Sequence, residues 1–354
     1  MRDVLTEWRP VVDDAIEELL PRDIDEAYLE EWFGPASHRY DSGAIQRALS
    51  DPIWDLLDRG GKRWRAVVCL LLLDGFGADP HEYLPYACIP EILHNGTIIV
   101  DDVEDEARIR RGKPALHHEF GQDIALNAGN AMYFLPLKVV GKNPADLDPG
   151  TQLAIYDMLM DELNRTHLGQ GMDIYWHRNR EATVAEAEYL EMCACKTGCL
   201  GRIVARLAAL ITDQSSAVER EIAKYAEDMS IAFQIGDDIL DVESTVEGNA
   251  EFGKAFGNDI REGKRTLMAI HALSEADAED ADRLSTILHE PENTREEILE
   301  AIEVLQSTGS VEYARERALE FAESAREHLR EVPLDEVRAE QLASFTEFVI
   351  DRDV

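Results

Sequence analysis

Two acidic clusters of one form constrain this chain more than any other feature. Asp101-Asp102-Val103-Glu104-Asp105 and Asp237-Asp238-Ile239-Leu240-Asp241 each follow directly on an apolar run. Aspartates at i and i+4 share a helical face, so Asp101 and Asp105 aim one way, as do Asp237 and Asp241. Asp and Glu make up 72 of the 354 residues, so acidic pairs will arise by chance on solvated helix faces. These two do not fit that account, because Ile98-Ile99-Val100 and Ile231-Ala232-Phe233 adjoin them. Stacked like charges beside apolar surface are costly without a neutralising cation. The first cluster has neither the spacing of an EF-hand loop nor the His and Cys ligands of a zinc motif. Each cluster reads as a Mg2+ platform, since Mg2+ is usually held by one or two carboxylates and completed by substrate phosphates. A diphosphate substrate is implied.

Helical periodicity runs through the chain, and strand alternation is nearly absent. Val11 to Leu20, Arg63 to Leu73, Tyr86 to Asp105, Asp123 to Val140, Thr151 to Gly169, Val184 to Ile211, Val218 to Asp241, Thr266 to Ser274 and Thr294 to Leu305 carry apolar residues at three- and four-residue steps. Cys69 to Leu73 and Ile203 to Ile211 are apolar enough for central helices of a large bundle, whereas the acidic, amphipathic Val311 to Leu329 suits the outside. Lys142 to Gly150 and Glu275 to Asp282 read as loops between helices, so residues 1–354 are expected to form one all-α domain.

A net charge of -37 argues against nucleic acid or an anionic membrane as a non-specific partner. It predicts a high-salt cytoplasm, where the Debye length shrinks to ~3 Å at 1 M and relieves self-repulsion. The chain opens without an apolar leader and no run reaches the ~18 apolar residues of a membrane span, so a soluble cytoplasmic protein is expected. The five cysteines, Cys69, Cys88, Cys193, Cys195 and Cys199, fit no common zinc spacing and read as small core residues.

Only eight of the 35 basic residues are Lys, and half of them (Lys62, Lys196, Lys254 and Lys264) stand in Gly-flanked or acid-flanked motifs. Compact ammonium groups suit phosphate oxygens. Gly60-Gly61-Lys62-Arg63-Trp64-Arg65 reads as an anion site at a helix start, with Lys62, Arg63 and Arg65 as its cations. His94 lies two helical turns before Asp101 on the same face, and Arg110-Arg111-Gly112 supplies two guanidinium forks after the cluster. Lys196-Thr197-Gly198 and Gln234 add a cation and neutral oxygens, and Phe252-Gly253-Lys254 and Glu262-Gly263-Lys264-Arg265-Thr266 form a basic, Gly-bearing loop after the second cluster.

Taken together, Gly60 to Thr266 closely resembles the trans-isoprenyl diphosphate synthases, or polyprenyl synthetases, with every motif in order. The resemblance implies a single bundle of long helices around a deep cavity, normally a homodimer. It implies that Asp101, Asp105 and Asp237 hold Mg2+ ions that bridge to an allylic diphosphate, with Asp102, Asp238 and Asp241 in support. Arg110, Lys196 and Lys254 would bind the allylic diphosphate, and Lys62, Arg65, His94 and Arg111 isopentenyl diphosphate. The allylic carbon–oxygen bond would ionise as charge on the departing pyrophosphate is neutralised. Thr197 and Gln234 oxygens would steady the cation, and the second substrate's double bond would then attack.

Two departures, Ala66 where the family usually has Pro and Asn130 where many members carry Asp, remove no charge that this mechanism needs. Small residues, Gly96 and Thr97, stand where the family's cavity floor commonly lies, and stretches such as Gly169 to Trp176 look like geranylgeranyl diphosphate synthases. A C20 product is expected, with C15 or C25 as alternatives. A class I terpene cyclase would have no use for a second diphosphate site. A silent regulatory subunit would typically have lost one acidic motif, and both are intact here.

Overall fold

The computed structural model describes residues 2–179, 183–247, 256–290 and 292–350. Among them the protein is all-α apart from one two-residue hairpin, Ile109–Arg110 with Lys113–Pro114. No helix among the described residues is long and apolar enough to cross a membrane. The chain divides into two compact units, residues 1–158 with 207–214, and residues 159–206 with 215–354.

In the first unit, the helix Trp64–Gly75 is buried along almost its whole length, as its unbroken apolar sequence requires. The helix Ile89–Glu104, which carries the first acidic cluster, packs along Gln122–Lys142. They meet glycine to glycine. A Cβ on Gly96 would stand 2.7 Å from Met132 Cβ and 3.0 Å from the Gly129 carbonyl oxygen, and one on Gly129 would stand 2.8 Å from Val100 Cγ2. Gly96 therefore sits at a helix crossing that leaves no room for a side chain. Thr97 is half-buried, with its hydroxyl bonded to the His94 carbonyl oxygen at 2.8 Å.

In the second unit, the long helix Ser216–Glu247 carries the second cluster, and Ser310–Arg330 packs against it. The small seam Ala314, Ala318, Ala322 and Ala325 is buried, so this acidic helix seats a full face while its charged side stays wet. The apolar run expected as one helix from Val184 to Ile211 is interrupted. Glu186–Cys193 and Cys199–Ile211 are joined by a π turn, Ala194–Gly198. Gly169 presses on that turn so closely that a Cβ there would fall on the Lys196 backbone nitrogen. The apolar period alone could not show this, because one extra residue in a turn leaves the composition unchanged. The five cysteines are free and buried, as expected.

Overpacking a tight crossing typically costs about 1–3 kcal/mol. Gly96→Phe is therefore expected to lower the thermal unfolding midpoint by several degrees, read by circular dichroism, before any effect on product is seen.

Candidate active site

In the first unit the acidic candidate residues stand at the end of one helix. Asp101 and Asp102 lie in the last turn of Ile89–Glu104, and Asp105 caps it. The chain then turns back at Glu106, at a φ of 54°, with Ala107 N–H bonded to the Asp102 carbonyl oxygen and Glu106 N–H to that of Val103. Carboxylates at a helix C-terminus meet the negative end of the macrodipole, the reverse of the stabilising arrangement. A bound cation relieves that tension.

Asp102 is buried and held by Arg110, whose Nε and terminal nitrogen reach Asp102 Oδ1 at 2.9 and 2.5 Å. Removing half-buried Arg110 would strand the buried Asp102 charge, a loss that reaches about 3–5 kcal/mol for fully buried pairs. Arg110 thus fixes the acidic helix end as well as standing beside it. The hairpin turns at Arg111 and Gly112, with φ values of 52° and 73°, the signature of a type I′ turn. Arg111 adopts this left-handed conformation with its guanidinium bonded to the Gly60 carbonyl oxygen at 2.5 Å and to Asn95 Oδ1 at 3.1 Å. Arg59, which the motifs did not single out, braces the hairpin through the carbonyl oxygens of Arg110 and Pro114.

The Gly-Gly-Lys-Arg segment is more divided than its sequence suggests. Lys62 is exposed, whereas Arg63 is buried, with Nε bonded to Asp13 Oδ1 at 2.7 Å and a terminal nitrogen to the Leu57 carbonyl oxygen. Arg63 is engaged inside the fold. Arg65 is also buried, its guanidinium 4.2 Å over the Trp64 ring and its backbone N–H on Glu91 Oε1. His94 lies among these cations. Burial, then the charges of Arg65, Arg111, Arg110 and Arg63, hold its imidazole well below the usual histidine range, so it is neutral at pH 7. Burial, then the neighbouring Arg63, lowers Arg111 to about 10.

In the second unit, Asp237 is half-buried on Ser216–Glu247, while Asp238 and Asp241 are buried. Asp238 accepts Gln234 Nε2 at 3.0 Å on one oxygen and the Tyr189 hydroxyl at 2.9 Å on the other. Gln234 Oε1 accepts the Thr197 hydroxyl at 2.9 Å. Lys196, on the π turn, pairs with buried Asp173 at 2.7 Å. Asp241 Oδ2 accepts the backbone N–H of buried Asp259, and Lys264 pairs with Glu262 at 2.8 Å. Burial, then the charge of Asp238, pushes the Tyr189 phenol well above its ordinary range, so it is a fixed donor. Phe252, Gly253 and Lys254 lie outside the described residues.

No sequence motif marks Tyr189, Asp173, Asp259, Asn95 or Arg59 as a site residue. Asp173 lay within the Gly169 to Trp176 stretch, where its role as partner to Lys196 is not visible without the packing. Among the described residues, no group of three or more His, Cys, Asp or Glu side chains is placed to hold a metal alone. The acidic clusters offer carboxylate oxygen only, which fits a hard divalent cation whose shell is completed by phosphate.

Comparisons with known proteins identify the family. The polyprenyl synthetase family model matches residues 46–305. A geranylgeranyl diphosphate synthase of Saccharolobus solfataricus is 31% identical over 307 residues, 86% of this chain and 91% of that protein. A short chain isoprenyl diphosphate synthase of Methanothermobacter thermautotrophicus is 33% identical over 84% of this chain and 88% of its own length. The crystal structure of a geranylgeranyl pyrophosphate synthetase from Pyrococcus horikoshii superposes with a TM-score of 0.83 at 27% identity, covering 99% of this chain and 98% of that one. The chain belongs to the polyprenyl synthetase family and is a trans-isoprenyl diphosphate synthase, a prenyltransferase.

The depressed His94 pKa has a consequence for stability. Below about 6.5 the unfolded chain takes up a proton that folded His94 refuses, so this residue makes stability fall as pH drops through that value. Urea unfolding at pH 7.5 and 5.5 is expected to show a smaller acid loss in His94→Gln than in the wild type.

Proposed function

We propose that the protein condenses isopentenyl diphosphate with allylic diphosphates to give C20 geranylgeranyl diphosphate, with Mg2+ as its metal. The observation that carries this is the division of labour within the acidic clusters. Asp102, Asp238 and Asp241 are buried and engaged by Arg110, by Gln234 with Tyr189, and by the Asp259 N–H, while Asp101, Asp105 and Asp237 are more accessible. On this reading Asp101, Asp105 and Asp237 hold the metal and the other three keep the clusters rigid. The bound cation supplies neutralisation of charge on the leaving pyrophosphate.

The chain's own groups do the rest. Lys196, Arg110 and, by family resemblance, Lys254 take the allylic diphosphate, with Lys264 nearby in sequence. Lys62, Arg65, His94 and Arg111 take isopentenyl diphosphate. Arg65 is pre-set by burial and Arg111 by its bonds to Gly60 and Asn95, and neutral His94 binds through a hydrogen bond, not a charge. Thr197 and Gln234 present neutral oxygens, suited to steadying an allylic cation without capturing it. Arg63 acts through the fold, since Asp13 engages its guanidinium. Support for the C20 product comes from the names of the Saccharolobus and Pyrococcus relatives, and the family match across residues 46–305 favours one functional domain over two.

We assign the dimer contact to Pro149–Arg178, where Met160, Leu168 and Tyr175 lie within one face and are 49%, 64% and 58% exposed. A second copy of the chain would cover this apolar strip. The location is cytoplasmic and the medium rich in salt, which suits a charge of -37.

The test is incubation of purified protein with Mg2+, isopentenyl diphosphate and C5, C10 or C15 primers, in low and molar KCl, with chromatography of the dephosphorylated products. C20 is expected, with the greater activity in molar salt. Chelation should abolish it, and Asp101→Asn or Asp237→Asn should lower kcat by about a hundredfold or more while the fold persists. No elongation in either salt would instead favour a silent subunit. Leu168→Glu should move the protein from dimer to monomer in sedimentation equilibrium; an unchanged mass would reject this face.

A further inference from the structure

Tyr189 has 1% of its surface exposed, and its phenol is spent on a carboxylate of the second acidic cluster. An ionised carboxylate has no proton to give. Gln234 must therefore turn its NH2 toward Asp238, which leaves its carbonyl oxygen facing the Thr197 hydroxyl. The amide's two ends are nearly the same shape, so only this chain of bonds decides which end faces Thr197. Its anchor is the phenol, held by the packed core around Tyr189, Cys193, Ile235 and Ile239.

A second buried tyrosine gives the contrast. Tyr225 donates its hydroxyl to the Leu342 carbonyl oxygen at 3.0 Å, a backbone partner that needs no orienting. Tyr189 instead donates to a side-chain carboxylate, and that carboxylate aligns Gln234 and, through it, Thr197. We infer that Tyr189 is a positioning residue for prenyl transfer: by fixing Asp238 it sets the Gln234 amide and the Thr197 hydroxyl, the two neutral oxygens assigned to the allylic cation. This rests on the proposed function and deepens it.

Tyr189→Phe keeps the buried volume and removes one oxygen. Losing a charge-assisted hydrogen bond is worth about a tenfold to hundredfold factor, and that loss is expected in kcat, with KM for isopentenyl diphosphate little changed. In a Gln234→Ala background the same change should add almost nothing, because both act through one chain of contacts. Tyr225→Phe, which deletes an equally buried hydroxyl elsewhere, should leave kcat unchanged. Equal losses in both backgrounds, an unaltered kcat, or failure of Tyr189→Phe alone to fold would each overturn the inference and mark Tyr189 as a core residue only. A wild type inactive with every primer would overturn the proposed function as well, whereas an active wild type with additive losses sinks this inference alone.

Discussion

Like charges held close together on half-buried helix surface are the constraint on which this structure depends. Carboxylates at Asp101, Asp102 and Asp105 crowd the negative end of the helix Ile89–Glu104, where the backbone adds to their repulsion. The fold tolerates this by giving the buried members partners. Asp102 has Arg110, Asp238 has Tyr189 and Gln234, and Asp241 has the Asp259 N–H. What remains is a high density of oxygen ligand on rigid elements. That is the state a metal site needs before its metal arrives.

The positive side of the site follows the same logic with the sign reversed. Buried Arg65 and half-buried Arg111 stand close enough to His94 to suppress its protonation, and burial with the charge of Arg63 lowers Arg111 itself. Their positions are set by backbone that most residues avoid, the left-handed conformations of Arg63 and Arg111. Such strain is sustained only where surrounding bonds over-determine it, and Asp13, Leu57, Gly60 and Asn95 supply those bonds. An anion entering this region meets cations already desolvated and oriented.

Much of this was legible beforehand, for identifiable reasons. The acidic clusters, the lysine distribution and the all-α class are one-dimensional patterns, and most helices fall where the apolar period puts them. The exceptions are the break at Ala194–Gly198 and the helix Ala278–His289, which begins inside the stretch Glu275 to Asp282 that reads as a loop. The misses have a common cause. The close contact of Gly96 with Gly129 and Met132 is one case. The bond from Arg63 to Asp13, 50 positions away, is another. Tyr189 and Asp173 carry no motif at all. Their importance comes from partners 49 and 23 residues distant, which only packing brings near.

The π turn at Ala194–Gly198 sets the angular phase between the helix bearing Tyr189 and the one that follows. An α-helix advances about 100° per residue, so trimming one residue from this turn, though it would restore ideal helical winding, would swing the upstream segment round by more than a quarter of a revolution. Tyr189 would then leave Asp238. Irregular winding here is thus a gearing element, and a locally better helix would be a worse enzyme.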